Sequence, residues 1–537
     1  APPADRYPSP LLLPNPGPSP LLRPASPREA GMRALMVQGC TSSAGKSLIA
    51  TVLCRHFARL GVRAAPFKGQ NMSNHARVGE GGEMGAAQYF QALAAGVVPD
   101  VRMNPVLVKP EGERQSQVVV LGSVDVALSR TPWRERDSRL RPAVLGALDS
   151  LADEHELLVI EGAGSPAEIN LADCDLANLA VARHADARVL LVADIDRGGA
   201  FAHLYGTWHL LAEHDRQRIA GWILNRFRGE RELLAPAPQL LRELTGVPTL
   251  GVVPQISHGL PEEDGAARAP RHPSTGTRVA VLRYPTASNL DELSLIEQVA
   301  TVEWTAAPAG IESADLVVLP GSKHVSVDLE WVRERGLAGP LARRVAAGGR
   351  VLAICGGMQI AGRRLRARGA GERDAAGLDL LALETMFAPS KRVGRVDARF
   401  ASLPTPWEEL SGLPARGYEI RHGSSRVVGT PARGVRGPVG AAAAGDGSAR
   451  DGSSGEAGGA AGEGLGSLLP ALPDGLGFVA GPVLGVYPHG LLEDPAIVRA
   501  LLGTTPRQSV EQAIDELTDA VLAHLDLDRI NALAGIR

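Results

Sequence analysis

The sequence predicts an α/β protein with two doubly wound domains, each built around a parallel sheet. The chain has 537 residues, which is too long for a single hydrophobic core. From Met32 onwards, short β-forming runs alternate with stretches whose apolar residues recur at helical spacing, as in βαβ units. A polar break rich in glycine and proline, residues 258–277, separates this series from a second series of the same kind.

The first series opens with a strand, a glycine-rich turn and a helix. Residues 33–37 (RALMV) form a β-like run, and apolar residues then keep helical spacing as far as Gly61. Later β-rich runs lie at 157–164, 189–196 and 219–225 in the first series, and at 279–285, 315–323 and the beginning of 350–365 in the second. Functional loops of parallel sheets follow the carboxyl ends of the strands, so we expect the sites there.

These patterns divide the chain into five segments. They are a disordered proline-rich tail (1–30), a first domain (31–262), a linker (263–277), a second domain (278–505) and a helical C-terminal segment (506–537). Within the second domain, residues 429–467 have almost no large apolar side chains to bury. We predict that this low-complexity stretch is a disordered insertion.

Composition narrows the class of protein. The net charge of -3 argues against a nucleic-acid partner, because nucleic-acid binders usually carry a basic surplus. The four cysteines show no paired spacing, which favours a reducing cytoplasm over a disulfide framework or zinc site. No apolar run reaches the roughly 18 residues of a membrane helix, and the N-terminus lacks the pattern of a signal peptide. We therefore predict a cytoplasmic protein without a membrane partner and leave open whether it forms a homo-oligomer.

Residues 37–50, VQGCTSSAGKSLIA, nearly match a phosphate-binding loop. Such loops read G-x-x-x-x-G-K-[ST], whereas five residues separate Gly39 from Gly45 here. Glycines let backbone N–H groups approach phosphate oxygens, Lys46 can reach the outer phosphates and Ser47 can bind Mg²⁺. The chain has only five lysines, and a scarce lysine at this position favours a nucleotide site over a plain turn before a helix.

The loop spacing resembles the dethiobiotin synthetase-like branch of P-loop proteins, whose members make acyl or carbamoyl phosphates. Further blocks extend the resemblance: PFKGQNM, EMGAAQ, RMNPVLVKP, EGAGSPAEINL and ADIDRGGAFAHLYGT. Together they resemble the cobyric acid synthase family, which amidates peripheral carboxylates of cobyrinic acid a,c-diamide in cobalamin biosynthesis. The resemblance implies an ATP-dependent synthetase domain over residues 31–262, with ATP and Mg²⁺ as cofactors.

The resemblance also implies roles for individual residues of the first domain. The triphosphate would be held by Gly39, Gly45, Lys46 and Ser47. The Mg²⁺ would be bound by Ser47, Glu161 and Glu83. The adenine would contact Asn225. Lys68 would stabilise charge on the transferred phosphoryl group. Substrate contacts are expected from Asp194, Asp196 and Arg197 and from the polar residues Gln70, Asn71, Asn104 and Gln117. The alternatives are a capped strand end with an ion pair for the first group and ordinary loop hydrogen bonds for the second.

A second chemical site is predicted at RVLAICGGMQIAGRRL, residues 350–365. A strand ends at Cys355 and two glycines precede a helix, so a sharp turn would expose the sulfur at the helix N-terminus. The alternative is a buried structural cysteine.

The stretch resembles the nucleophile turn of class I glutamine amidotransferases. That resemblance implies an oxyanion hole from the amides of Gly321, Ser322 and Gly356, with His489 as general base. Many members of the class carry a glutamate two residues after this histidine, where this chain has Leu491. A Cys355–His489 dyad is therefore expected, with Glu493 as a candidate orienting group.

The two predicted sites complement each other chemically. Glutamine hydrolysis releases ammonia, which reacts poorly with a free carboxylate, whereas phosphorylation by ATP makes that carboxylate an acyl phosphate. We therefore predict a glutamine-hydrolysing amidoligase that acts on the b, d, e and g carboxylates of (adenosyl)cobyrinic acid a,c-diamide, so its partners are glutamine and a corrinoid polycarboxylate. The alternatives are a cobyrinic acid a,c-diamide synthase and a ParA-like ATPase switch. A switch would normally carry a second lysine early in the loop, where this chain reads CTSSA.

Overall fold

A six-stranded parallel sheet organises the N-terminal part of the chain. The computed structural model describes residues 32–110, 116–256, 276–369, 371–428 and 467–536. The predicted tail 1–30, nearly all of the linker and residues 429–466 of the predicted insertion lie outside the described residues. We call residues 32–256 the N-terminal module and residues 276–502 the C-terminal module.

The N-terminal sheet places the phosphate-loop strand near its centre. Its strands run in the order Thr249–Pro254, Ile219–Phe227, Arg188–Asp194, Ala34–Gly39, Leu157–Glu161, Ala64–Phe67, and all neighbouring pairs are parallel. Helices of this module are Lys46–Arg59, Ala86–Ala95, Val126–Arg130, Asp137–Glu154, Leu179–His184, Ala200–Leu210, Glu213–Arg216 and Ala237–Thr245. The central strand Ala34–Gly39 is buried throughout, as expected when helices cover both faces of a parallel sheet.

The C-terminal module has a seven-stranded sheet with an antiparallel edge. The order is Thr301–Thr305, Arg278–Leu282, Leu316–Leu319, Arg350–Ile354, Val483–Val486, Gly477–Ala480, Leu469–Leu472, and only the last two pairings are antiparallel. Its helices are Pro308–Ser313, Val325–Glu334, Ala338–Ala346, Gly356–Ala361 and Pro495–Leu502. The prediction of two doubly wound α/β units is confirmed.

Smaller sheets accompany the two main sheets, and several of their strands lie where the modules meet. The N-terminal module contributes Gln70–Met72, Val106–Pro110, Ser116–Val120 and Ser123–Val124, and the hairpin Ala76–Gly79/Gly82–Gly85. The C-terminal module contributes Ala375–Ala376, Arg364–Arg366, Leu383–Arg399 and Pro414–Val427, and the short pair Ala287–Ser288/Gly321–Ser322.

Side chains from both modules pack together at this meeting point. A small apolar cluster joins Val78 and Val119 of the N-terminal module to Tyr418 and Ile420 of the C-terminal module. Two of the chain's lysines also cross the contact: Lys391 Nζ lies 2.7 Å from Glu83 Oε2, and Lys323 Nζ donates to the Pro110 carbonyl at 2.8 Å. The contact is therefore both apolar and ionic.

The C-terminal segment returns to the N-terminal module. Its helices Val510–Leu522 and Leu527–Leu533 place Ile514, Leu517 and Val521 in one apolar cluster with the first helix and the central sheet. These helices lie within the predicted C-terminal segment 506–537, and the sequence did not indicate that they pack on the N-terminal module. In the described part of the chain, every helix is too short or too polar to cross a membrane.

Candidate active sites

The predicted phosphate loop turns sharply between strand Ala34–Gly39 and helix Lys46–Arg59. Gly45 has φ of 103°, a left-handed conformation that favours glycine. A Cβ at Gly39 would lie 3.0 Å from the Thr41 carbonyl oxygen, so the loop closes tightly there as well. Lys46 Nζ curls over the loop and donates to the carbonyls of Thr41 (3.1 Å) and Gly164 (3.2 Å). A glycine-shaped loop with its lysine folded over it fits a bound triphosphate.

Asn225, the predicted adenine contact, supports the same loop. Its Nδ2 donates to the Ala44 carbonyl at 2.9 Å, and a Cβ at Gly45 would overlap its amide. Asn225 also lines the adjoining cavity, so it lies beside the predicted nucleotide position. In this structure its amide N–H serves the loop backbone.

Glu161 is the centre of a buried polar cluster at the end of its strand. Its Oε1 accepts from Ser47 Oγ and from Lys68 Nζ, both at 2.8 Å. Its Oε2 accepts from Gln91 Nε2 at 2.6 Å and from Gln88 Nε2 at 3.3 Å. The structure thus brings the predicted Ser47, Lys68 and Glu161 together, and the Ser47 hydroxyl beside a carboxylate is an oxygen pair suited to Mg²⁺.

Gln88 and Gln91 were missed by the sequence analysis. Both are fully buried on helix Ala86–Ala95 and reach the same carboxylate oxygen of Glu161. The sequence did contain a signal for them. The two glutamines lie three residues apart in the run EMGAAQYFQ, and residues three apart share one face of a helix.

Glu83 does not join this cluster, which corrects its prediction as a Mg²⁺ ligand. Its carboxylate is 1% exposed, with Lys109 Nζ on Oε1 and Lys391 Nζ on Oε2. Burial opposes the charged carboxylate, but the two ammonium groups prevail and lower the pKa of Glu83 to about 2. Both oxygens are therefore committed to an ionic contact that joins the modules.

A Glu83→Gln substitution is expected to destabilise the protein by about 3–5 kcal/mol, because two buried ammonium groups lose their anion. The lowered pKa adds a pH dependence: this contribution is present above pH about 4.5 and is lost as pH falls towards 2. Denaturant unfolding of both proteins measures the difference. The Mg²⁺ concentration for half-maximal activity should stay the same. A large increase in that concentration would indicate that Glu83 is a Mg²⁺ ligand after all.

Asn104 is also corrected, because its amide is fully used by the backbone. It is 1% exposed; its Nδ2 donates to the carbonyls of Lys68 (3.2 Å) and Val106 (3.0 Å), and its Oδ1 accepts from Gly85 N (2.9 Å). Asn104 therefore fixes the chain next to Lys68 and offers no group to a substrate.

The remaining polar candidates separate into two groups. Asn71 lines the cavity beside the phosphate loop and donates to Gln88 Oε1 at 3.2 Å. Gln70 is half-buried at the start of strand Gln70–Met72. Gln117 instead accepts from Lys391 Nζ at 3.0 Å, so it lies in the contact between the modules.

Asp194 behaves as the ion-paired strand end that was the alternative interpretation. It is 4% exposed, and its Oδ2 lies 3.0 Å from Arg226 Nη1 and 3.2 Å from Arg197 Nε. Asp196 pairs with Arg228 at 3.2 Å. Of the three predicted residues in this loop, Arg197 lines the cavity and remains the candidate for a substrate or phosphate contact.

The cavity next to the phosphate loop has a volume of about 330 Å³. Its lining includes Lys46, Ser47, Lys68, Asn71, Arg197 and Asn225 of the N-terminal module. It also reaches His75 and Asp291, the latter from the C-terminal module. The cavity thus extends from the phosphate loop to the contact between the modules.

Cys355 lies at the predicted turn between strand Arg350–Ile354 and helix Gly356–Ala361. Its φ of 50° and ψ of -108° are strained for a residue with a side chain, as at nucleophile turns. A Cβ at Gly356 would lie 2.6 Å from Ser322 N, and one at Gly357 would overlap the Leu319 carbonyl. The two glycines therefore let the segment containing Gly321 and Ser322 approach the turn, where the predicted oxyanion amides are expected.

His489 lies against the same segment. A Cβ at Gly321 would be 2.7 Å from His489 Cε1, so only glycine leaves room for the ring. The ring is 1% exposed, and Nδ1 lies 2.9 Å from Glu292 Oε1. Burial opposes its charge, but Glu292 and the adjacent Cys355 sulfur raise the pKa of His489 from 6.5 to about 10.

Glu292, and not Glu493, orients the histidine, which corrects the sequence-based suggestion. Glu292 is 2% exposed and also accepts from Gly490 N at 2.9 Å. Glu493 instead pairs with Arg77. The site is therefore a cysteine, histidine and glutamate arranged as in nucleophilic catalysis.

Comparison with known proteins agrees with this geometry. Residues 35–262 match the CobQ/CobB/MinD/ParA nucleotide binding domain, and residues 278–496 match the CobB/CobQ-like glutamine amidotransferase domain. The chain is 48% identical to cobyric acid synthase of Polaromonas naphthalenivorans, over 92% of this chain and 98% of the relative. It is 50% identical to cobyric acid synthase of Paracidovorax citrulli, over 88% of this chain and 93% of the relative.

Proposed function

The chain belongs to the cobyric acid synthase family, whose members are glutamine-dependent amidoligases, and from this premise we propose the reaction it performs. It amidates the b, d, e and g carboxylates of (adenosyl)cobyrinic acid a,c-diamide, with ATP as the activating nucleotide. The observation that carries the proposal is that one chain combines a phosphate loop and a Cys–His–Glu site, and that the cavity beside the loop reaches Asp291, next to Glu292.

Ammonia is released at the C-terminal module. The Cys355 sulfur attacks the side-chain amide carbon of glutamine, and amides of the segment around Gly321, Ser322 and Gly356 stabilise the oxyanion. His489, held by Glu292, delivers a proton to the leaving nitrogen. A thioester and ammonia result, and water then releases glutamate and restores the thiol.

The carboxylate is activated at the N-terminal module. A corrinoid carboxylate oxygen attacks the terminal phosphorus of ATP, the bond to ADP breaks, and Lys46 and Lys68 stabilise the transferring charge. Ser47 and Glu161 would hold the Mg²⁺ that neutralises phosphate charge when it is bound. Ammonia then attacks the acyl phosphate carbon, the amide forms and phosphate leaves.

The test is mass spectrometry of the product formed from cobyrinic acid a,c-diamide with ATP, Mg²⁺ and glutamine. Four successive exchanges of OH for NH₂ are expected. Cobyrinic acid itself is the control substrate, since conversion that stops after two exchanges on it would indicate an a,c-diamide synthase. ATP hydrolysis without any amide product would indicate an ATPase switch.

Glu292→Gln is expected to move the alkaline limb of the glutamine-hydrolysis profile to lower pH. The substitution removes the anion that raises the pKa of His489, so the imidazolium is lost at a lower pH. The raised pKa of His489 also stabilises the folded protein. This stabilisation is complete below pH 6.5 and is lost as pH rises towards about 10.

The measurement is kcat/KM for glutamine as a function of pH. Glu493→Gln is the comparison variant, because Glu493 is the orienting group that the sequence suggested, and its carboxylate pairs with Arg77. A larger shift for Glu493→Gln than for Glu292→Gln would contradict the assignment of Glu292.

A further inference from the structure

Arg77 belongs to the N-terminal module, but its guanidinium donates hydrogen bonds to side chains of the C-terminal module. It lies in strand Ala76–Gly79 and is 1% exposed. It donates to Tyr418 Oη and to carboxylate oxygens of Asp291 and Glu493. These three partners come from separate segments of the C-terminal module.

Two of the three segments contact His489, and the third follows it directly in the chain. Asp291 directly precedes Glu292, whose carboxylate lies on His489 Nδ1. Tyr418 exchanges two backbone hydrogen bonds with His489, at 3.1 and 2.8 Å, and their rings stack with centroids 5.6 Å apart. Glu493 ends the short turn Leu491–Glu493 that follows the histidine. One guanidinium therefore ties together the elements that determine the position of the ring.

Charge gives Arg77 a second effect on the same cluster. Asp291, Glu292 and Glu493 are three acidic groups close together behind His489, and burial disfavours the charge of Asp291 and Glu493. Burial raises the pKa of Asp291, but Arg77 and His75 lower it further, so the net shift is downward. For Glu493, burial prevails over Arg77 and the pKa is raised to about 7. Without the guanidinium this cluster would lose its main cation.

The strand that carries Arg77 also connects to the predicted nucleotide site. Asn71, Met72 and His75 precede it by two to six residues and line the cavity beside the phosphate loop. Asp291 lines the same cavity and faces His75 Nδ1 at 3.5 Å. The arginine therefore lies between the two chemical sites.

We propose that Arg77 is a positioning residue for glutamine hydrolysis that the N-terminal module supplies to the C-terminal module. It fixes His489 through Glu292, Tyr418 and the turn ending at Glu493, so the glutamine site is complete only when the modules are in contact. This inference rests on the proposed roles of Cys355 and His489.

The test compares glutamine hydrolysis and ammonium-driven amidation in Arg77→Met and Arg77→Lys. For Arg77→Met we expect kcat for glutamine hydrolysis to fall about 100-fold, with a much smaller change in KM, because the catalytic groups are misplaced. Amidation from ammonium should stay within a few fold of wild type. The acid limb of hydrolysis should move to higher pH, because Asp291 and Glu493 lose the cation that favours their charged forms. The other titratable groups facing this pair are His75, Glu292, Tyr418 and His489.

Arg77→Lys keeps the positive charge, but its ammonium group lacks the planar fork of N–H donors with which the guanidinium bonds three partners. It should retain the acid limb of wild type and recover only part of kcat. If Arg77→Met does not fold, Arg77→Lys still tests the proposal. Wild-type kcat for glutamine hydrolysis in Arg77→Lys would overturn it.

Lys391→Met is the control for loss of contact between the modules, because Lys391 donates to Glu83 and Gln117 across that contact. Its kcat for hydrolysis should fall much less than that of Arg77→Met. Equal losses in both variants, or equal loss of ammonium-driven amidation in Arg77→Met, would overturn the positioning role. Cys355→Ala in the same assay distinguishes failure of the proposed function from failure of this inference. Continued glutamine hydrolysis by Cys355→Ala would reject the proposed function. If only the predictions for the Arg77 variants fail, only the positioning role of Arg77 is rejected.

Discussion

Cys355→Ala is expected to abolish amidation from glutamine and to retain amidation from ammonium. The substitution removes the sulfur that forms the thioester, so no ammonia is released from glutamine. Free ammonia bypasses that step and reaches the acyl phosphate directly. Product formation is measured with glutamine and, separately, with a high concentration of ammonium salt at mildly alkaline pH, where more NH₃ is present.

Two outcomes would contradict this division of labour. Normal use of glutamine by Cys355→Ala would remove the cysteine from the mechanism. A folded variant that binds ATP and corrinoid but cannot use ammonium would show that the two sites are not separate in the way proposed. Because Cys355 is only 5% exposed and lies in a tight turn, unfolding of the variant should be measured alongside.

Lys46→Ala is expected to lower amidation by at least about 100- to 1,000-fold with either nitrogen source, because the outer phosphates lose a preorganised cation. Ammonium cannot rescue this variant, since the missing step is the activation of the carboxylate. The measurement is ATP-dependent product formation with glutamine and with ammonium. Wild-type turnover in Lys46→Ala would defeat the assignment of the phosphate loop.

The two variants form a matched pair. Lys46 is 7% exposed and donates to the carbonyls of Thr41 and Gly164, so unfolding of Lys46→Ala should be measured alongside its activity. Cys355→Ala and Lys46→Ala should differ in one respect, which is rescue by ammonium. Equal rescue of both would mean that ammonia does not enter after activation.

The parts of the sites that could be predicted from sequence are those built by local chain geometry. The phosphate loop and the turn at Cys355 each need glycines at fixed distances from a reactive side chain, and both leave a strand and enter a helix. Such requirements act within about ten residues, so they are visible in one stretch of sequence.

Partners that meet through tertiary contact could not be predicted in the same way. Glu292 and His489 are 197 residues apart, and nothing in the spacing selects Glu292 over the nearby Glu493. Glu83 belongs to a block that resembles the family, but its partner Lys391 lies 308 residues later in the other module. For His489 the sequence suggested the nearest glutamate, and for Glu83 the resemblance suggested a Mg²⁺ site. In both cases packing gives the residue a partner from a distant part of the chain.

The rate at which the lysines are chemically labelled should depend on whether the two modules are in contact. The structure describes all five lysines, and none is fully exposed: Lys46 and Lys68 lie at the predicted nucleotide site, and Lys109, Lys323 and Lys391 at the contact. An acylating reagent therefore meets hindered lysine amines when the modules are in contact. When the modules separate, Lys323 and Lys391 lose their partners across the contact, so their labelling rate reports opening while Lys46 and Lys68 report occupancy by nucleotide.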